Sequence, residues 1–285
     1  MDATRSEDSH GYEDEPREYF SPLPEHLAPL YYDLCSSADT SDVCYFYDQL
    51  RFNGCRHVLE LGCGTGRISS HLVAKELTVV GVDICRPMLA HPRHRPSTVV
   101  AMDMRALGFT RSFEAAIIGC NTLNLLVTKE QIGLCLSQVY KILTGPALLL
   151  LQLFVPDRLL LHNPETGFFQ ASVHDMGDGG KLVKEVIRTY RPAQPDLLYT
   201  ERYKLRYTKA PEQNINYHQQ QTLAAFSPQT WFNLLADAGF TILSRHGGRA
   251  ATPFFEGNCT TLYIAARAAP PKKNTTTGKR HETDA

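Results

Sequence analysis

Two kinds of apolar spacing alternate along the chain, and their order predicts the architecture. Val58 to Leu61, Thr78 to Val82, Thr98 to Met102, Phe113 to Cys120 and Ala147 to Val155 are short runs rich in Val, Ile and Leu. Their length and β-branched content suit strands covered on both faces. Helical spacing fills the gaps between them. Across Lys129 to Leu143, Ile132, Leu136, Val139, Tyr140 and Leu143 fall on one helix face, and Thr144-Gly145-Pro146 closes it. Ile68 to Ala74 and a short segment opened by Pro87-Met88-Leu89 also read as helices. Strand and helix in alternation imply right-handed crossovers and a parallel sheet.

Two stretches depart from that alternation. Ahead of the first strand, Leu27, Leu30, Tyr31 and Leu34, then Val43, Phe46, Tyr47 and Leu50, predict two helices. The second starts at Thr40-Ser41-Asp42 and ends at Asn53-Gly54, and the pair is expected to lie as a lid over the carboxyl edge of the sheet. After Val155, Lys181 to Arg191, Leu198 to Thr208 and Ile215 to Phe226 are rich in β formers and are divided by Gly and Pro turns. They predict an antiparallel flap over 156–227. Ser227-Pro228 then caps a helix with Trp231, Leu234 and Leu235 inward, and Phe240 to Ser244 and Cys259 to Ala266 supply the last strands. The expected fold is α/β: a seven-stranded, mostly parallel, doubly wound sheet with N-terminal lid helices and an antiparallel β flap after strand 5. Residues 21–268 form the domain. The acidic stretch 1–20 and the Pro, Lys and Thr-rich stretch 269–285 are expected to be disordered tails.

The first strand breaks at closely spaced glycines, Val58-Leu-Glu-Leu-Gly-Cys-Gly-Thr-Gly-Arg67. A strand, a tight turn and a helix start in that order form a ligand-binding turn in an open α/β sheet. Gly62, Gly64 and Gly66 do not follow the dinucleotide pattern G-x-G-x-x-G, because Arg67 stands where its third glycine would. Glu60 at the strand end would oppose a pyrophosphate but attract an ammonium or sulfonium. About twenty residues on, Asp83 ends the second strand at a spacing that suits an acid accepting from two ribose hydroxyls.

Glu-x-Gly-x-Gly-x-Gly at the end of a first strand resembles motif I of the class I S-adenosylmethionine (SAM) dependent methyltransferases. The resemblance runs from about Leu27 to Arg267. It implies SAM as cofactor, held by Tyr31, Glu60, Gly62, Cys63, Gly64, Gly66, Arg67, Asp83, Ile84, Met88, Asp103, Met104, Cys120 and Asn121. Within that set, Met88 would flank the adenine ring, Asp103 would accept from its amino group and Met104 would pack on it. Cys120 and Asn121 would stand beside the methyl donor. Leu30-Tyr-Tyr-Asp-Leu34 resembles a segment that small-molecule members set against the cofactor, and "Ala-Gly-Phe" at 238–240 is also typical of the family. No Asn/Asp-Pro-Pro-Tyr follows the fourth strand, which removes the motif of base amino-methyltransferases. The late flap resembles that of amino-sugar and amino-acid N-methyltransferases.

Composition narrows the partners. The formal net charge is -1, so no global field draws nucleic acid or an anionic membrane, and the longest apolar run is too short for a membrane span. Eight scattered cysteines without a C-x-x-C pair, and no His cluster at zinc spacing, argue against a metal site and fit a reducing cytoplasm. Composition favours a small or neutral partner, and with the family resemblance the expected partner is a small-molecule methyl acceptor on N or O, N slightly ahead. For an oxygen nucleophile, which needs a base, Tyr32, His174 and Tyr217 are the candidate catalytic side chains, with His218 and other flap tyrosines behind them. The alternatives are a protein methyltransferase and a SAM-binding partner subunit without activity. Oligomeric state is not legible.

Overall fold

The computed structural model describes residues 19–36, 40–91, 98–110, 113–163, 168–248 and 252–268. Both expected tails lie outside these, except that Tyr19 and Phe20 are described. Phe20 lies under the Arg202 guanidinium, 5.0 Å from its ring centre.

In chain order the elements are β1 (Ser21–Pro22), α1 (Ala28–Ser36), α2 (Ser41–Phe52), β2 (His57–Leu61), α3 (Arg67–Val73), β3 (Thr78–Asp83), α4 (Arg86–Ala90), β4 (Thr98–Ala101) and β5 (Phe113–Ile118). A 3₁₀ turn at Thr122–Leu125 follows, then α5 (Lys129–Ile142), β6 (Leu143–Phe154), α6 (Arg158–His162), β7 (Phe168–Asp175), β8 (Lys181–Arg191), β9 (Asp196–Arg206) and β10 (Ile215–Ala224). The chain ends with α7 (Pro228–Asp237), β11 (Phe240–Gly247), β12 (Thr252–Pro253) and β13 (Thr261–Ala268).

The main sheet has the order β12-β11-β13-β6-β5-β2-β3-β4. Strands β4, β3, β2, β5 and β6 are parallel, and β13 runs antiparallel to both β6 and β11. It therefore has eight strands where seven are expected, the addition being the two-residue edge strand β12. Helix α5 and α7 cover one face, where Leu149, Leu151 and Leu153 meet Leu136, Val139, Trp231 and Leu235. The other face carries Leu148 and Leu150, packed with Phe46 and Leu50 of α2 and with Ile68 and Leu72 of α3. Covering on both sides explains the unbroken apolar run of β6.

This packing corrects the lid expectation for α2, which is a sheet-covering helix. An amphipathic stripe records only that a helix buries one face. Only α1 stands over the carboxyl edge. Nor does Thr40 cap α2 with its side chain; Asp42 Oδ1 instead accepts from the Val43 amide at 2.8 Å.

The flap is larger than expected. It forms a separate five-stranded sheet, β1-β10-β9-β8-β7, in which β7 to β10 are antiparallel and β1 joins β10 in parallel. Two apolar clusters fix it to the domain. Phe154, Leu160, Tyr190, Leu197 and Leu223 pack at one end, and Tyr31, Leu182 and Tyr203 pack at the other. Asn124, fully buried, ties the join: its Nδ2 donates to the Phe154 and Ala224 carbonyls at 3.0 and 2.7 Å, and its Oδ1 accepts from the Phe154 amide at 3.0 Å. Asn124→Ala removes three buried hydrogen bonds and is expected to cost about 2–4 kcal/mol. Thermal or urea unfolding checks this, and a loss under about 0.5 kcal/mol, the range of a neutral surface change, would contradict it.

Candidate active site

The turn after β2 is held open by backbone shape. Gly62, Gly64 and Gly66 have φ of 71°, 55° and 85°, a region that costs a residue with a Cβ about 1–2 kcal/mol. A Cβ on Gly62 would lie 2.2 Å from Thr122 Cγ2, so the turn and the 3₁₀ segment are in contact there. A Cβ on Gly64 would meet only Met88 Cε, at 4.0 Å.

Asp83 fastens this turn. Its Oδ2 accepts from the Gly64 amide and its Oδ1 from the Cys85 amide, each at 2.8 Å. Each oxygen keeps a further acceptor site for a ligand hydroxyl. Helix α1 is tied to the same turn, since Thr65 Oγ1 donates to the buried Asp33 at 2.6 Å.

After β5, Cys120 and Asn121 are consecutive non-glycine residues with φ of 50° and 58°. Such strain persists only where its surroundings impose it. Here the Cys120 amide donates to Gln152 Oε1 at 2.8 Å, while its thiol takes Arg67 Nη2 at 3.1 Å and the Tyr32 hydroxyl at 3.5 Å. Asn121 Oδ1 is buried without a hydrogen-bond partner among the described residues.

These elements line a half-open cavity of about 630 Å3. Gly62, Gly64, Asp83, Ile84 and Met88 line one side, Asp103 and Met104 close an end, and Tyr32, Cys120 and Asn121 stand in the middle. The opposite wall is the flap, with Lys184, Arg188, Tyr199, Glu201, Tyr203, Gln219 and Gln221.

Several expected side chains stand elsewhere. Tyr31 packs on Tyr203 at 5.2 Å between ring centres and does not line the cavity, because neighbouring helix positions point about 100° apart. Arg67 faces away from the cavity and grips Asp42, with Nη1 to Oδ1 at 3.0 Å. Cys63 is buried beneath the turn, and Gly66 serves as the N-cap position of α3. Tyr217, on β10, meets Tyr31 with tilted rings 6.4 Å apart. His174 lies on the edge strand β7, where Ser172 Oγ meets its Nε2 at 2.9 Å. Neither His174 nor Tyr217 lines the cavity, so neither is placed as a base. Tyr32 lines it, but burial first, and the Cys120 sulfur next, push its hydroxyl well above the usual phenol range. It stays protonated at neutral pH.

Asp103 does line the cavity, yet its carboxylate is engaged. Arg105 reaches it with Nε at 3.0 Å and Nη2 at 2.6 Å, and the Arg105 amide donates at 2.8 Å, which holds the carboxyl below its usual range.

Glu60 also departs from its expected role. On β2 it shares a face with Val58, under α2 and α3, so it is 2% exposed and hydrogen-bonds to Ser69 instead of facing a ligand. Burial pushes its carboxyl up to about 8, against hydrogen bonding from Ser69 that lowers it. The folded state then holds a proton that the unfolded chain releases above about pH 4.5, so stability falls as pH rises from about 4.5 to 8. Glu60→Gln is expected to flatten that decline and to raise stability at pH 8 by on the order of 1–3 kcal/mol. Melting curves at pH 5, 6.5 and 8 test it; parallel pH profiles for both proteins would refute it.

Sequence reading also missed most of the flap wall. Lys184, Arg188, Glu201, Gln219 and Gln221 carry no motif, and the available signal is period-two alternation that puts even positions of β8 and odd positions of β9 on one face.

An open, doubly wound α/β sheet with a glycine turn and an acid at the ends of its first two strands defines a Rossmann-like domain. Residues 58–145 match the protein family described as "Methyltransferase domain". A putative methyltransferase of Bacillus subtilis is 34% identical over 99 residues, which cover 33% of this chain and 40% of the relative. The match thus spans about two-fifths of that protein's length. A SAM-dependent methyltransferase of Clostridium acetobutylicum superposes with a TM-score of 0.70 at 13% identity, over 86% of this chain and 98% of its own. The SAM-bound amino pentose methyltransferase CalS10 of Micromonospora echinaspora gives 0.69 at 18% identity, over 88% of this chain and 100% of its own. The match to the methyltransferase family is thus confined to residues 58–145, and over most of its length the chain shares the fold of SAM-dependent methyltransferases. Among the described residues, no helix is long and apolar enough to cross a membrane.

Proposed function

We propose that the chain is a SAM-dependent methyltransferase acting on a nitrogen of a small polar acceptor held between the main sheet and the flap. One observation carries this reading: a single cavity runs from the glycine turn and Asp83, past Cys120 and Asn121, to the polar face of the flap. A cofactor half and an acceptor half thus meet at the strained pair.

The residues fit the cofactor. Asp83 has acceptor sites for the ribose hydroxyls, Asn121 Oδ1 is a buried acceptor that a ligand ammonium would complete, and Met88 and Met104 offer apolar packing to a ring. Bound there, SAM supplies a methyl group on a positively charged sulfur, already activated for transfer. The protein's part is then to align the acceptor and exclude water. Helix α1 and the flap contribute by walling the half-open cavity beside the turn, a depth that suits a metabolite.

Nitrogen is favoured because, among the described residues, none of the candidate bases on the acceptor side of the cavity is available. Tyr32 stays protonated, the Glu201 carboxylate is taken by Lys184, Tyr203 and Gln219, and His174 stands outside. A neutral amine needs none of them. The small amino-bearing acceptor named for the structural neighbour CalS10 agrees with this.

SAM titration by calorimetry, followed by incubation with pooled metabolites and mass analysis for an added methyl, tests the reading. Failure to bind SAM would refute it. Tyr199→Ala, on the flap side, is expected to keep SAM affinity within about threefold, under 1 kcal/mol, while lowering turnover. Equal loss of both would undo the division between cofactor and acceptor halves.

A further inference from the structure

Behind the strained pair Cys120-Asn121 lies a buried ion pair. Arg67, the first residue of α3, sends Nη1 to Asp42 Oδ1 at 3.0 Å and Nη2 to Asp42 Oδ2 at 2.5 Å, and the two side chains are only 13% and 8% exposed. The same Nη2 donates to Cys120 Sγ at 3.1 Å, and Cys120 lines the cavity beside Asn121 and Tyr32. A guanidinium thus stands one side chain behind the cavity wall, where the two halves of the cavity meet.

Charge decides what that placement means. A guanidinium keeps its proton, and with little water around it its field is weakly screened. Beyond its own burial, the groups that weigh most on Arg67 are Asp42, Cys120 and Tyr32. Burial holds the Cys120 thiol and the Tyr32 hydroxyl in their neutral forms. Glu60, which also feels Arg67, keeps its proton up to about pH 8 for the same reason. Asp42 therefore supplies the counter-charge, and the Val43 amide fixes it by donating to Oδ1 at 2.8 Å. SAM carries a positive charge on sulfur, whereas its demethylated product, S-adenosylhomocysteine, does not. A bare cation behind this wall would oppose the first and leave the second untouched.

We propose that the Asp42–Arg67 pair sets the charge preference of the cofactor site: Arg67 holds the strained turn through Cys120, and Asp42 cancels its charge so that a sulfonium is admitted. This rests on the methyltransferase reading above. Asp42 is then a positioning and specificity-determining residue that touches neither cofactor nor acceptor.

Calorimetry on the full-length protein, Asp42→Asn, Arg67→Met and the double variant gives the Kd of SAM and of S-adenosylhomocysteine, with circular dichroism to check the fold. The ratio of the two constants is the quantity read, because a loosened turn weakens both ligands alike whereas a charge acts on SAM. Asp42→Asn keeps the side-chain shape and bares the guanidinium, so the ratio is expected to shift about threefold or more towards S-adenosylhomocysteine. Arg67→Met leaves the opposite charge and should shift it towards SAM. The double variant, neutral at both positions, should return the ratio to that of the parent, as the closing corner of a double-mutant cycle. A smaller shift in Asp42→Asn, or a double variant that keeps that shift, overturns the proposal. If Asp42→Asn does not fold, Arg67→Met decides: a shift towards SAM supports the proposal, and an unchanged or reversed ratio overturns it. A parent protein that binds neither ligand ends the methyltransferase reading and this proposal with it, whereas one that binds both with a ratio the variants leave unmoved ends this proposal alone.

Discussion

Asp83→Ala is expected to weaken SAM binding by roughly 10–150-fold, equivalent to about 1.5–3 kcal/mol for hydrogen bonds to a charged group. The carboxylate acts twice. In the proposed site it offers acceptor sites to ribose hydroxyls, and it pins the Gly64 and Cys85 amides at 2.8 Å each. Removing it therefore loosens the turn as well as deleting a ligand contact. Asp83→Asn separates the two: its amide keeps one oxygen for the backbone but loses the charge, so its affinity should fall between those of the parent and Ala proteins. Calorimetry on all three is the check, and an Ala variant with undiminished affinity would remove Asp83 from the site.

Gly64→Val should abolish measurable SAM binding and leave a folded protein, whereas Gly62→Ala should damage the fold first. The difference lies in what each Cβ meets. At Gly64 the new side chain enters the space near Met88 at the cavity wall, and Val must also adopt φ near 55°, a strained conformation for a branched residue. At Gly62 a single Cβ would collide with Thr122 at 2.2 Å, adding overpacking to backbone strain, about 2–4 kcal/mol together. Melting temperature with and without SAM reads both effects. A SAM-dependent rise retained in Gly64→Val, or a Gly62→Ala protein as stable as the parent, would contradict the geometry of the turn.

What the sequence made legible was local. The glycine turn, the acid at the end of β3 and the strand-helix alternation each depend on a few adjacent residues, and all stand where they were expected. Face and partner were less legible, because both are set by distant elements. Glu60 is a strand-end acid in sequence, but α2 and α3 cover its face and turn it into a buried group bonded to Ser69. Tyr31 and Tyr32 are equivalent by composition, and only docking of the flap on α1 decides that Tyr32 faces the cavity. The flap wall of the cavity depends on register across β8, β9 and β10, whose pairings join residues as far apart as Asp196 and Ala224. His174 was credible as a base until β7 proved to be the outer strand of that sheet.

The junction at Asn124 has a consequence for how acceptor choice can change. One side-chain amide bonds the carbonyls of Phe154, the last residue of β6, and Ala224, the last residue of β10, so the segment between them begins and ends at neighbouring points, about 70 residues apart in sequence. An insertion whose two ends already touch can be exchanged for another of different length at little extra loop-closure entropy. If the flap holds the acceptor as proposed, strands β7 to β10 are a replaceable cassette: a transplanted one that supplies its own apolar ends for Phe154 and Tyr31, and an edge for β1, should bring a new acceptor while the glycine turn and Asp83 stay as they are.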